Sequence, residues 1–180
     1  FNIPINTVIQ ANIVKKSIDA RDKADIFYNY SIMVEINDKG LCDKLAKAKN
    51  VQVVDFEKQE RLDGITVSRK SNKRPVIIGA GPAGLFCALS MVENGIKPII
   101  IEQGKKVEER SKDVELFRKG GILNTMSNVQ FGEGGAGTFS DGKLTTNLHS
   151  PLCRTVIEQF VRFGAPSQIS YMNKPHIGTD

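Results

Sequence analysis

The stretch from residue 75 to residue 102 restricts the fold more than any other part of the chain. Pro75-Val76-Ile77-Ile78 is a short apolar run that ends in Gly79-Ala80-Gly81-Pro82-Ala83-Gly84. Leu85 to Asn94 then has helical periodicity closed by Gly95, and a second apolar run, Pro98-Ile99-Ile100-Ile101, ends in Glu102. Two short β-branched runs joined by a helix predict adjacent parallel strands with a crossover, because parallel strands cannot be joined by a tight turn. Each glycine has a job in that frame: Gly79 allows the sharp turn, Gly81 lets another group approach the backbone, and Gly84 lets the helix pack close to its strand. Pro82 and Ala83 open the helix, whose N-terminal N–H groups and positive dipole end attract anions. Glu102 follows at about the roughly 20-residue spacing at which a carboxylate meets a ribose hydroxyl. These residues predict a dinucleotide site. Because Glu102 would repel a 2′-phosphate, they favour FAD or NAD over NADP and leave the choice between those two open.

The remainder is organised around this unit. Residues 27–36 place Tyr28, Tyr30, Ile32, Val34 and Ile36 on one side of a period-2 alternation, which predicts a half-buried strand. Asp38 can cap a helix through Leu41, Leu45 and Ala48, and residues 51–56 return to β-branched character. Residues 6–25 are ambiguous, since Val8, Ile9, Ile13, Val14 and Ile18 fit a helical face only in the first half. Residues 1–60 are therefore expected to form a small α+β module. A charged linker follows at 61–74, with a turn signal at Asp63-Gly64, and residues 75–180 start a Rossmann-like, partial parallel sheet.

Net charge is +5, from 25 Lys and Arg against 20 Asp and Glu. The basic group Lys15, Lys16, Arg21 and Lys23 is interleaved with Asp19, Asp22 and Asp25, which favours a solvated face and makes a nucleic-acid partner a poor expectation. Cys42, Cys87 and Cys153 are odd in number and far apart, a pattern that suits a reducing cytoplasm and gives no metal spacing. Cys87, on the helix after the glycine turn, is expected to face the sheet as a small hydrophobe. The longest apolar stretch, residues 75–92, is broken by Gly and Pro, so no membrane span is expected. The chain starts at Phe1 and stops at Asp180 without a closing element, and we expect a fragment of a longer protein.

A second glycine cluster runs from Gly132 through Glu133, Gly134, Gly135, Ala136, Gly137, Thr138, Phe139, Ser140, Asp141 and Gly142 to Lys143 and Leu144. Such density allows positive φ and close approach of backbone to a ligand, with Thr138 and Ser140 available as donors. A plain mobile loop is the competing reading. Together with residues 76–84, Glu102 and the run Asn128-Val129-Gln130-Phe131, this cluster resembles the FAD-dependent dehydrogenases of the two-dinucleotide-binding-fold flavoprotein superfamily. Ser17-Ile18-Asp19-Ala20-Arg21 is similar to the N-terminal module of those proteins. The resemblance implies FAD held by Gly79, Gly81, Pro82, Ala83, Gly84 and Glu102, with Arg110 as a further cofactor contact. It also implies that Gly134, Gly135, Ala136, Gly137, Thr138 and Ser140 lie against the pyrophosphate or the flavin ring.

The function expected on this basis is an FAD-dependent oxidoreductase of unknown small-molecule substrate, with hydride passing through the flavin and NAD(P)H as a candidate donor. A non-catalytic FAD- or NAD-sensing module is the alternative, and an RNA- or partner-binding protein led by the N-terminal module is the third reading. No catalytic residue is identified, and His149 is weighed as a surface residue rather than a proton donor. The superfamily completes its flavin site with later segments. The 180-residue chain alone is therefore expected to bind FAD weakly, to be inactive, and to have a mobile 132–142 loop.

Overall fold

Strand β1, Val8–Asp19, and strand β2, Phe27–Ile36, form an antiparallel pair in which Val8 faces Ile36 and Asp19 faces Phe27. The computed structural model describes residues 2–54 and 72–178. The ambiguity over residues 6–25 resolves as strand, and the register supplies the reason. It shifts between Val8 and Gln10 and again between Ile13 and Lys15. Each bulge adds a residue that breaks the period-2 rhythm. Ile9, Ile13 and Val14 thereby acquire the spacing of a helical face while remaining in an extended chain. Tyr28, Tyr30, Ile32, Val34 and Ile36 stand opposite Ile18, Lys16, Ile13, Ala11 and Val8. Tyr28 at 57% and Ile32 at 59% exposure are more open than the half-buried face expected of them. Lys16 Nζ lies 4.0 Å from the Tyr28 ring centroid, so it covers an aromatic face and is not simply solvated. Arg21 pairs with Asp19 at 2.6 Å in the turn that follows β1.

Helix α1, Lys39–Leu45, starts as the sequence predicts, with the Asp38 carboxylate accepting from Leu41 N–H at 2.9 Å. Residues 51–54, expected to begin a strand, have no regular structure. Residues 55 and 56, the Asp63-Gly64 turn and most of the polar linker lie outside the described residues.

The chain divides into two units, one comprising Phe1–Arg61 with Lys143–Asp180, the other Leu62–Gly142. Residues 143–178, which the sequence places with the dinucleotide-binding unit, are hydrogen-bonded to the hairpin. Lys16 N–H donates to Tyr171 O at 2.6 Å and Asn173 N–H to Lys16 O at 2.9 Å, adding a short parallel bridge at Met172. In this unit helix α4, Pro151–Arg162, is capped by Ser150, and the adjoining 3₁₀ turn Ser167–Ser170 buries Ile169.

The second unit contains the predicted parallel pair. Strand β3, Val76–Ile78, runs beside strand β4, Ile99–Ile101, with Val76 opposite Ile99 and Ile78 opposite Ile101. Ile99 N–H donates to Pro75 O and Gly79 N–H to Ile101 O, extending the ladder at both ends. The Arg74 guanidinium ties the entry of β3 to Lys97 O and Pro98 O. Between the strands runs helix α2, Pro82–Glu93, which stops at Gly95 (φ +75°), where Gly95 and Ile96 N–H groups return to Val92 O and Met91 O. Helix α3, Val107–Arg118, follows β4 and buries Arg110 and Val114, one turn apart on one stripe. Ala80, Ala88 and Val114 form the small apolar core of this unit.

Candidate functional site

The turn between β3 and α2 is shaped by three glycines with different surroundings. Gly79 has φ +98°, in the left-handed region that favours glycine. A Cβ on Gly84 would press into the Gly79 carbonyl, with Gly79 C at 3.1 Å and Ile77 Cγ2 at 3.4 Å, so helix and strand touch there through backbone. Gly81 differs: nothing lies within 4 Å of where its Cβ would be. It is the N-cap of α2, and no side chain caps that helix end. The first turn therefore presents its N–H groups and dipole without an internal acceptor from a side chain.

Glu102 closes the other side. Its carboxylate accepts from Ala80 N–H at 2.7 Å and from Gly104 N–H at 2.9 Å. These donors, Ala80 first and Gly104 second, hold the Glu102 carboxyl below the usual carboxylate range, and the Arg110 charge adds to the effect. The acid at the end of β4 is thus ionised and anchored to the glycine turn, with further lone pairs available to a hydroxyl donor.

The second glycine cluster packs against the first. Gly134 N–H donates to Ala80 O at 2.8 Å, and a Cβ on Gly135 would lie 3.2 Å from both Gly81 Cα and Pro82 Cδ. Residues Gly135–Phe139 form a 3₁₀ turn entered through Gly134 and Gly135, both at positive φ. Glu133 reaches back to the start of α3, its carboxylate accepting from Val107 N–H at 2.9 Å. Between the two glycine loops is an open cleft of about 420 Å³, lined by Gly79, Gly81, Glu102, Gln130, Phe131 and Gly135 among others.

Other expected site residues are placed differently. Thr138 does not present a free donor: its hydroxyl donates to Glu133 O at 3.2 Å and accepts from Arg110 Nη1 at 3.2 Å. Ser140 Oγ accepts from Gly142 N–H at 3.3 Å. The Arg110 side chain is fully buried, and its guanidinium is bonded within the protein. Burial pushes this guanidinium below its ordinary pKa, with the Glu102 charge opposing the shift. Cys87 is exposed rather than turned to the sheet; its neighbour Ala88 takes the buried position. His149 is exposed and lies in the unit that contains the hairpin. Gln130 and Phe131, part of the run that carries the family resemblance, line the cleft, and so does Gln103, which no motif flagged.

Comparison with known proteins agrees with this geometry. Residues 74–133 match the FAD binding domain family, and residues 1–35 match a domain of unknown function, DUF8436. The first of these matches supports an FAD-binding flavoprotein family. An uncharacterized protein of Clostridium beijerinckii is 41% identical over all 180 residues of this chain, which cover 33% of that protein. The chain thus spans about a third of that relative's length. The small chain of an NADPH glutamate synthase from Halomonas elongata is 52% identical over 33 residues, 18% of this chain and 7% of that protein. No helix among the described residues is long and apolar enough to cross a membrane, and no His, Cys, Asp or Glu cluster among them could hold a metal ion.

Proposed function

We propose that the whole protein is an FAD-dependent oxidoreductase that exchanges hydride with a small-molecule substrate, with a nicotinamide nucleotide as electron donor. The observation that carries the reading is the open side of Gly81 at the uncapped end of α2, faced by Glu102 across one cleft. Those residues fit an adenine dinucleotide. Gly81, Ala83 and Gly84 offer main-chain N–H donors to a pyrophosphate, Gly79 shapes the turn while its own N–H is held by Ile101 O, Pro82 opens the helix without an N–H of its own, and Glu102 offers acceptor lone pairs to ribose hydroxyls. Of the second glycine cluster, Gly132 and Gly135 line the cleft, and the turn that follows, with Gly134, Ala136, Gly137, Thr138 and Ser140, supports the reading as the element that holds them there. FAD, when bound, supplies the two-electron chemistry, while the protein binds and orients it. The FAD binding domain match supports the flavin, and the stretch shared with a glutamate synthase small chain supports a reductase setting.

The test is the visible spectrum of the whole protein. Flavin absorbance that bleaches with NADH or NADPH is expected, and Gly81→Val is expected to purify folded and colourless. Flavin that no nicotinamide reduces would favour a nucleotide-sensing module instead. Full flavin content in Gly81→Val would overturn the site.

A further inference from the structure

Arg110 is the largest fully buried side chain among the described residues, and no carboxylate hydrogen-bonds to its guanidinium there. A buried cation is costly unless its N–H groups are met. Here the acceptors come from the stretch that carries the second glycine cluster. Nε donates to Asn128 O at 2.8 Å, Nη2 to Val129 O at 2.8 Å, and Nη1 to Glu133 O at 2.7 Å and to Thr138 Oγ1 at 3.2 Å. The Phe139 ring centroid lies 4.8 Å from Cζ. Gly132 passes so close to the aliphatic stem that a Cβ there would meet Arg110 Cδ at 2.6 Å. The other side of the same stretch supplies Gln130, Phe131, Gly132 and Gly135 to the cleft.

We infer that Arg110 is a positioning residue, an internal clamp that gathers residues 128–139 into the wall of the dinucleotide cleft, and not a ligand of the cofactor. The guanidinium spans acceptors on both sides of Gly132 with a planar fork, which the single ammonium of lysine cannot do. The clamp replaces the enclosed ligand that the sequence argument required to order so glycine-rich a segment, because main-chain carbonyls held by a fixed cation need no partner from outside. This inference rests on the reading of the cleft as an FAD site, but its structural half can be tested without FAD.

The experiment compares wild type, Arg110→Lys and Thr138→Val as the whole protein, with two readouts. The first is cleavage of the apoprotein after Glu133 by a Glu-specific protease and after Phe131 by chymotrypsin, followed by mass spectrometry. The second is the FAD dissociation constant by flavin fluorescence. Arg110→Lys is expected to be cut at these two sites several-fold faster, to bind FAD about 10- to 100-fold more weakly, and to regain protection at saturating FAD. Thr138→Val, which removes the two 3.2 Å bonds of one hydroxyl, to Arg110 and to Glu133 O, is expected to change in the same direction by less, and it decides the matter if Arg110→Lys does not fold. Weaker FAD binding with unchanged apoprotein cleavage would make Arg110 a direct ligand and overturn the clamp. Unchanged values for both would also overturn it. If wild type binds no FAD, the site reading fails, and apoprotein cleavage alone decides whether residues 128–139 depend on Arg110.

Discussion

Gly84→Ala and Gly81→Ala add the same methyl group to the same turn, yet the structure assigns them different consequences. At Gly84 the new Cβ overlaps the Gly79 carbonyl and sits 3.1 Å from Gly79 C. Carbon and oxygen prefer about 3.5 Å or more, so helix or turn must move by roughly 1.5 Å. Gly79 is held in place by its own N–H, which donates to Ile101 O at 2.7 Å and extends the β3–β4 ladder. Overpacking of this kind costs about 1–3 kcal/mol, while replacing glycine by alanine inside a helix returns about 1 kcal/mol. The clash involves backbone on both sides, so we expect the upper part of that range and a net loss of about 1–2 kcal/mol. At Gly81 no atom lies within 4 Å and φ is −78°, so alanine should leave stability within about 0.5 kcal/mol. Thermal unfolding of apoprotein and FAD titration together separate the two. Gly84→Ala should lower Tm by several degrees and weaken FAD, whereas Gly81→Ala should weaken FAD with Tm nearly unchanged. An unaltered Tm in Gly84→Ala would refute the backbone contact, and unaltered FAD affinity in Gly81→Ala would remove the open side of Gly81 from the site.

Glu102→Gln should weaken FAD about 10- to 100-fold, since a charged acceptor for hydroxyl donors becomes a neutral one. Its pH dependence follows from the lowered carboxyl pKa: the stabilisation by Ala80 and Gly104 N–H is present above the ordinary carboxylate pKa of about 4.3 and is lost as pH falls through the lower folded value. Urea midpoints of wild type and Glu102→Gln should therefore converge as pH falls below about 4. Gly132→Ala combines φ +126° with a Cβ placed 2.6 Å from Arg110 Cδ and should cost about 1–3 kcal/mol by urea unfolding. Gly104→Ala, whose Cβ would lie 2.6 Å from Gly132 N, should lose a comparable amount of stability; a wild-type midpoint in either would contradict the close crossing of these segments.

The β3–α2–β4 unit was legible because every local signal agreed: short β-branched runs, glycines at the turn, and a helix stopped by Gly95. Glu102 could be read from its position at the end of β4, but its bonds to Ala80 and Gly104 could not, since they depend on how the turn curls. The hairpin was half legible. β2 alternates cleanly, while the two bulges in β1 erase the alternation that identifies a strand. Helix α3 went unread because its sequence is mostly charged and its buried stripe consists of Arg110 and Val114 rather than an apolar face. The surroundings of Arg110 are the clearest limit: three of the four hydrogen bonds of this buried arginine go to main-chain carbonyls and only one to a side chain, Thr138, so almost no side-chain pattern marks them. Cys87 was misplaced by a helix rotation that buries Ala88 instead, and the bond of the Thr138 hydroxyl to Glu133 O could not be read from the glycine pattern.

The crossing of Gly104 and Gly132 has a further consequence. The chain leaves the end of β4 at Gly104, runs out through α3 and residues 119–131, and returns at Gly132 to within contact of its point of departure. The excursion thus begins and ends at one place, so its length is decoupled from the spacing of the elements that border the cleft. Lengthening such a closed detour adds entropy cost only logarithmically. Residues 119–127 of the detour can be regarded as an exchangeable cassette, provided that the glycine at each foot, the inward-facing guanidinium and residues 128–131, which accept from it and line the cleft, are kept. A homologous detour of different length that meets those requirements should be graftable here without displacing the mouth of the site.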